Sequence, residues 1–241
     1  MRSVAGDLTV IVPALNAADT ISSTIRSIHA QSVGAPAVIV VDDGSIDDTP
    51  TVARASGAHV ITTDRQGPGA ARNLGVEQAD TGFIAFCDAD DTWPVTRLEA
   101  DLLVLTQESV RILLGRTRFD ADSPDLLSGM ALDADGAALI PHFGAATMTM
   151  SAFQQVGPID EDLSNYEDYE WFLRARERSA GLTTHDRISL HRRMHRGSTS
   201  QTNRPTPRDL LAVLRTSVNR RAQAGSDPLP SLSALRREAG R

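Results

Sequence analysis

Phe83-Ile84-Ala85-Phe86-Cys87-Asp88-Ala89-Asp90-Asp91 is an apolar run that ends in three acids. Its first half has the composition of a buried strand, and its second half puts carboxylates where that strand would leave the core. Hydrophobic burial accounts for the strand but not for like charges held close together, which repel unless a cation or solvent offsets them. A hard divalent cation such as Mg2+ or Mn2+ takes oxygen ligands and fills its other positions with water or substrate phosphate, and the spacing Asp88-x-Asp90 suits it.

Outward from this stretch, residues 8–12, 37–41 and 59–61 are further short apolar runs, and the segments between them have helical periodicity. Residues 20–29 set Ile21, Ile25 and Ile28 on one face, 49–55 form a shorter helix, and 69–79 turn Ala71, Leu74 and Val76 inward. The alternation reads as β-α-β-α, an α/β fold with a Rossmann-like, mostly parallel sheet flanked by helices. Right-handed crossovers then collect the strands' carboxyl ends on one edge, where such sheets bind ligands. Asp42, Asp43 and Asp88 to Asp91 fall on that edge. Pro94 is suited to open a helix running to Ser109. Residues 111–144 break into short strands and hairpins punctuated by Pro, Gly and Asp. Beyond them, 145–150 read as a strand, 166–179 as a helix, 184–191 as a strand and 207–224 as a last helix, with 225–241 a mobile tail or a short docking helix.

The 241 residues suit one α/β domain with an appended tail. A charge of -7 argues against a nucleic-acid partner. All 24 basic residues are arginine, and the lack of lysine excludes a lysine nucleophile, a Schiff base or a phosphate-binding lysine. A lone cysteine, Cys87, excludes an internal disulfide and a cysteine metal cluster, which points to a reducing, cytoplasmic location. The first eight residues lack a secretory pattern, and no apolar run reaches bilayer length. The arginine-rich C-terminal part leaves room for peripheral contact with anionic lipid at the inner membrane face.

Two turns compete between bland and functional readings. In Val38-Ile-Val-Val-Asp-Asp-Gly-Ser-Ile-Asp-Asp-Thr49, Ser45 or Asp47 could cap the helix near Thr49. Alternatively, the acids before Gly44 could accept hydrogen bonds from a nucleobase or ribose. In Asp64-Arg-Gln-Gly-Pro-Gly-Ala-Ala-Arg-Asn-Leu-Gly75, a glycine-rich turn at a helix start favours anions, with Arg65 and Arg72 beside it. Asp88-Ala-Asp-Asp-Thr92 also fits the Asp-x-Asp-x-Thr nucleophile motif of haloacid-dehalogenase-like phosphatases, although that motif sits near a domain's start and needs a later lysine.

Taken together, Val10-Ile-Val-Pro-Ala-Leu-Asn16, Val41-Asp-Asp-Gly-Ser45, Gly67-Pro-Gly-Ala-Ala-Arg-Asn-Leu-Gly75, Phe86-Cys-Asp-Ala-Asp-Asp91 and Asn165-Tyr-Glu-Asp-Tyr-Glu170 resemble, in order, the signatures of family 2 inverting glycosyltransferases of GT-A fold. The resemblance runs from about residue 8 to 200. It implies a nucleotide-diphospho-sugar donor with Mn2+ or Mg2+, and a hydroxyl acceptor on a glycan, a lipid-linked carrier or a small molecule. By the same resemblance Pro13 and Ala14 line the nucleoside pocket, Asp43 bonds the base and Asp42 supports the turn. Asp88 faces the donor ribose or sugar, Asp90 binds metal, Asp91 supports the site, and Arg65 or Arg72 assists at the diphosphate.

On the acceptor side, Asp168 matches the family's catalytic base, Glu167 orients the site or the acceptor, Glu170 is an exposed partner of Arg174, and Trp171 either lines the acceptor pocket or packs in the core. His191 to Ser200 resemble a basic segment that closes over the diphosphate, with His195 as a further metal ligand and Arg192 and Arg193 available to an acceptor phosphate. The implied organisation is a nucleotide-sugar half, 1–110, an acceptor half with a small mixed region, 111–206, and a C-terminal helix and tail, 207–241. The Gln-x-x-Arg-Trp signature of processive members is absent, which favours one transfer per encounter. Besides the phosphatase, a sugar-nucleotide-binding protein without turnover is the other reading.

Overall fold

A computed structural model of the chain describes residues 4–107, 109–195, 206–224, 229 and 232–235. Strands β1 (Leu8–Ala14), β2 (Ala37–Asp42), β3 (His59–Thr62) and β4 (Phe83–Phe86) alternate with helices α1 (Ile21–His29), α2 (Thr49–Ala55) and α3 (Pro68–Glu77). These follow the apolar runs within a residue or two. After α4 (Arg97–Leu105) come β5 (Ile112–Ala121), β6 (Ala137–Ala138), β7 (Ala146–Thr149), α5 (Met150–Val156), α6 (Glu167–Glu177), β8 (Leu182–Met194) and α7 (Pro207–Ala224).

One eight-stranded sheet runs β3-β2-β1-β4-β7-β5-β6, with β8 on the other side of β5. The first four strands are parallel, β7 runs against both β4 and β5, and β8 is parallel to β5. Two reversals restore the direction, so β5 and β8 point the same way as β4. The carboxyl ends of β1, β2, β4, β5 and β8 therefore share one edge.

The core is aliphatic in the donor half, where Ile11, Ile21, Ile25, Ile28 and Ile84 are fully buried. Beside β7 it becomes aromatic. Phe143 lies 5.1 Å from Phe86 and 5.4 Å from Trp171, ring centre to ring centre. Trp171 is wholly buried and donates its indole N–H to Gly157 O at 2.9 Å, as its core reading required.

Three expectations need correction. Pro94 does not open a helix, because Thr92 bridges to His191 of β8 and holds that segment extended, so α4 begins at Arg97. Residues 111–144 contain the ten-residue strand β5, which exists because β8 pairs along it from far down the chain. Residues 145–150 are split: Thr149 accepts Ala152 N–H at 3.1 Å and caps the short helix α5, which the strand reading missed.

Helix α3 approaches β1 tightly at Gly75, where an added Cβ would collide with Ile11 Cγ2. Overpacking of this kind outweighs the helix propensity gained by alanine. Gly75→Ala should lower the unfolding free energy by about 1–3 kcal/mol. Urea denaturation reads this directly, and a neutral or stabilising result would mean that α3 does not sit this close to β1.

Candidate active site

The three acids after β4 have three different surroundings. Asp88 Oδ1 accepts a hydrogen bond from Arg72 Nη2 at 2.7 Å. Burial opposes its charge, but Arg72 foremost overcomes that and holds the carboxyl at about 2. Asp91 is buried; its Oδ1 accepts the Arg193 N–H at 3.0 Å, and its Oδ2 has no partner among the described residues. Burial, then the charges of Asp88 and Asp90, push its pKa well up. Asp90 is partly exposed, and its Oδ2 lies 3.1 Å from His195 Nε2. Burial and the Asp88 charge raise its pKa as well.

Arg72 reaches the site from α3 and is itself buried. Its other nitrogen, Nη1, donates to Glu167 Oε1 at 2.9 Å, so one guanidinium joins the end of β4 to the start of α6. Asp88 and Glu167 offset the cost of its burial and raise its pKa. Asp168 follows Glu167 in the first turn of α6, after Tyr166 at a positive φ of 62°. Its Oδ1 accepts the Tyr169 N–H at 2.8 Å. Burial and the neighbouring Glu167 charge raise the Asp168 pKa to about 7 despite Arg72 and Arg192. Arg192, from the end of β8, acts electrostatically on Asp88, Asp91, His142 and Asp168 at once, so its guanidinium belongs to the same pocket.

On the far side of β1, Asp43 is buried and closes the glycine turn. Its Oδ1 accepts from Thr63 Oγ1 at 2.8 Å and Gln66 N at 2.7 Å, and its Oδ2 from Gly67 N at 2.8 Å. Asp43 thus supports the glycine turn, and Asp42 Oδ1 is buried with no partner among the described residues. Pro13 and Ala14 end β1, where Ala14 O receives the Asp43 N–H at 2.8 Å. Arg65 is exposed, and its Cγ fills the space beside Gly44, whose φ is +80°. Ser45 Oγ accepts from Asn16 N at 2.8 Å, and Asp47 accepts from both Ala18 N and Thr49 N. The two residues therefore tie the β1–α1 loop to the β2–α2 loop, with Asp47 also serving the start of α2.

Two site residues had no sequence signal. His142, alone before β7, places Nε2 3.7 Å from Asp88 Oδ2. Burial and Arg192 lower its pKa to about 3, so it is neutral. Its Nδ1 accepts the Gly144 N–H at 3.0 Å, which puts the ring proton on Nε2, facing Asp88. Arg97, read only as part of a structural helix, is the buried brace behind it. It donates to the carbonyls of Gly144, Ser189 and Ala146 and lies 3.8 Å from the Trp93 ring centre.

Two groupings could receive a divalent cation. Asp88, Asp91 and His142 bring one donor atom each within 4.8 Å of one another. Yet Asp88 Oδ1 is taken by Arg72, and the protonated Nε2 of His142 has no lone pair to offer. Asp90 and His195 fit better, because adjacent ligands around a Mg2+-sized ion lie about 3 Å apart, and their 3.1 Å separation matches. Arg196 to Ser200, the rest of the basic segment, lie outside the described residues.

Residues 9–130 match the model of glycosyl transferase family 2, over half of the chain. The chain belongs to glycosyl transferase family 2. This family-2 chain is 28% identical over 211 residues to glycosyltransferase AglE of Haloferax volcanii, covering 79% of this chain and 68% of that one. It is 32% identical over 112 residues to the Escherichia coli UDP-Glc:alpha-D-GlcNAc-diphosphoundecaprenol beta-1,3-glucosyltransferase WfgD, covering 45% of this chain and 44% of that one. The chain thus spans about two thirds of one curated relative and under half of the other. The solved glucosyl-3-phosphoglycerate synthase of Mycobacterium tuberculosis, in complex with Mn2+, UDP-Glc and phosphoglyceric acid, superposes with a TM-score of 0.57 at 20% identity, over 92% of this chain and 80% of that one. The sheet and its helices are those of the GT-A fold.

The phosphatase reading falls with this membership, and Asp88 argues against it independently: a carboxylate held by Arg72 is poorly placed as a free nucleophile. Glu170 also needs correction. It pairs with Arg174 at 2.8 Å as the i,i+4 spacing implied, but it is buried, because α7 covers α6 and Arg220 reaches it at 2.9 Å.

Folding raises the Asp168 pKa from 3.8 to about 7, so the native state binds a proton that the unfolded chain has released. That contribution is fully present below about pH 4 and fades as pH rises through about 7. Asp168→Asn should therefore lack this loss and gain stability relative to the parent between pH 4 and 8. Melting temperatures across that range test it, and parallel curves for the two proteins would show that Asp168 is not perturbed.

Proposed function

We propose that the chain is a metal-dependent, inverting glycosyltransferase that moves a sugar from a nucleoside-diphosphate donor to an acceptor hydroxyl. The carrying observation is the Arg72 guanidinium between Asp88 and Glu167, which couples the acid-rich end of β4 to the turn bearing Asp168. On this reading residues 1–110 hold the donor, 111–206 hold the acceptor and 207–241 are an appended helix and tail. Pro13, Ala14 and Asp43 border the nucleoside, Asp88 meets the ribose or sugar, and Arg65 and Arg72 lie on the anionic side. Asp43 retains acceptor capacity, since Oδ2 receives one hydrogen bond in the turn.

Asp90 and His195 would hold Mn2+ or Mg2+. Bound there, the cation supplies positive charge to the diphosphate oxygens as the leaving group forms. The chain's own residues do the rest. Asp168 takes the acceptor hydroxyl proton, the freed oxygen forms a bond to the anomeric carbon, and the bond to the diphosphate breaks with its electron pair leaving on phosphate. Attack from the face opposite the leaving group inverts the configuration. A base whose pKa is about 7 is suited to neutral pH. The Mn2+ and UDP-Glc of the mycobacterial synthase support the cofactor and donor class. The diphosphoundecaprenol in the name of WfgD supports a lipid-linked acceptor, and on this reading the chain works at the inner face of a membrane.

Calorimetric titration with UDP-, GDP- and TDP-sugars, with and without Mn2+, should find one donor that binds tightly only with metal. Asp90→Ala should abolish the metal's effect. Asp168→Asn should keep donor affinity and lose about 10²–10⁴-fold in kcat, while the parent's kcat/KM rises with pH through about 7. Donor binding without transfer or donor hydrolysis across a broad acceptor panel would favour the binding-protein reading, and no donor binding under any condition would overturn the proposal.

A further inference from the structure

Helix α7 packs against α6 through Val213, Ser217 and Arg220. Val213 and Ser217 are buried, Ser217 Oγ donates to Glu177, and Arg220 Nε donates to Glu177 Oε2 at 2.8 Å. Its other side is apolar and uncovered: Leu211, Leu214 and Val218 are 51%, 40% and 53% exposed. At 100° per residue these three form one stripe, with Arg221 along one border and Arg208 and Arg215 along the other. The helix carries four arginines and a single acid, Asp209, in a chain whose net charge is -7. An apolar stripe bordered on both sides by arginine is the pattern of a helix lying in a lipid interface.

A second observation bears on charge. Arg176 of α6 and Arg221 of α7 are close enough that burial and the Arg221 charge lower the Arg176 pKa. Arg176 Nε and Nη2 and Arg221 Nε are buried with no hydrogen-bond partner among the described residues. Two guanidinium groups that sense each other's charge and carry unsatisfied donors favour an anion nearby, and a phosphate oxygen meets that need.

We infer that α7 is a membrane-docking helix, placing Leu211, Leu214 and Val218 among acyl chains and the Arg176–Arg221 pair against the phosphates of an anionic phospholipid surface. The inference takes its purpose from the lipid-linked acceptor proposed above, but its observations are independent of that reading. Ser217 and Arg220 bond to Glu177 while Arg220 also reaches Glu170, so α7 runs antiparallel to α6 and its arginine-rich end lies toward the turn bearing Asp168. Docking by α7 would hold that turn near the membrane, where the hydroxyl of a lipid-linked acceptor is presented.

Vesicle co-sedimentation of the whole chain, without donor or acceptor, tests this. Vesicles with a third of their lipid as phosphatidylglycerol should bind it, and phosphatidylcholine alone should not. Leu211→Ser with Leu214→Ser and Val218→Ser should weaken binding by about tenfold or more. Arg176→Gln with Arg221→Gln should weaken it by about tenfold or more, as should high salt for the parent. Leu214→Trp should shift its emission to the blue on anionic vesicles only; the two native tryptophans are buried and stay silent. Equal binding to both vesicle types, unchanged binding by both sets of variants, or a parent dimer that the serine variants break without vesicle binding would each overturn the inference. Stabilisation by inorganic phosphate with no vesicle binding would overturn it too. Retained transfer to a soluble acceptor in the serine variants would show that the loss lies in docking and not in the active site.

Discussion

The buried Arg72 guanidinium is the interaction on which the site depends. It leaves water at a cost that its two carboxylate partners must offset, and removing either would strand a charge in a dry place. Those partners come from segments almost eighty residues apart in the chain, Asp88 after β4 and Glu167 at the start of α6. A lysine could hold one of them as a point charge but not both in a planar fork. With Arg72 in place, the two acids become fixed neighbours, and Asp168 is carried beside them into surroundings where its proton is retained to near neutral pH.

Arg97 performs the equivalent task for the opposite wall. Its guanidinium binds the backbone carbonyls of Gly144 and Ala146, which follow His142, and of Ser189 on β8, and stacks over Trp93. Asp101 accepts from Arg97 at 3.4 Å and from Thr147 at 2.6 Å, so the charge is paired as well as bonded. The consequence reaches the site through one residue. Gly144, whose carbonyl Arg97 holds, gives its own N–H to His142 Nδ1 and so fixes which ring nitrogen faces Asp88.

Much of this was legible in local pattern. The apolar runs of β1, β2 and β4, the isoleucine face of α1 and the acids at the strand ends are short-range features whose period identifies the element. Residues 111–144 were not legible, because β5 owes its length to β8, and pairing between segments some seventy residues apart leaves no periodic mark in either. Pro94 failed for a related reason: a proline suits a helix start, but Thr92 was already held by His191. That Asp43 ties the β2 end to the glycine turn was not legible either. Adjacent residues at a strand end point to opposite faces, and only the path of the glycine turn determines which one receives its N–H groups.

The spread of environments across Asp88, Asp90 and Asp91 also explains how three acids can share four positions. Were all three charged and unpaired, their mutual repulsion in a partly dry pocket would be prohibitive. The structure divides them. Asp88 keeps its charge because Arg72 compensates it, and that charge then raises the pKa of both neighbours. Asp91 is buried against the Arg193 N–H and helps hold the end of β8 over the acid turn, together with the Thr92–His191 bridge. Asp90, partly exposed, faces His195 and is raised in pKa by burial and by the Asp88 charge. A carboxylate in that position gains most from an added cation, since binding one relieves the repulsion from Asp88 that its own ionisation would otherwise have to overcome. The three acids thus differ by their surroundings: the first is held by Arg72, the last is buried against the Arg193 N–H, and the middle one, partly exposed, faces His195.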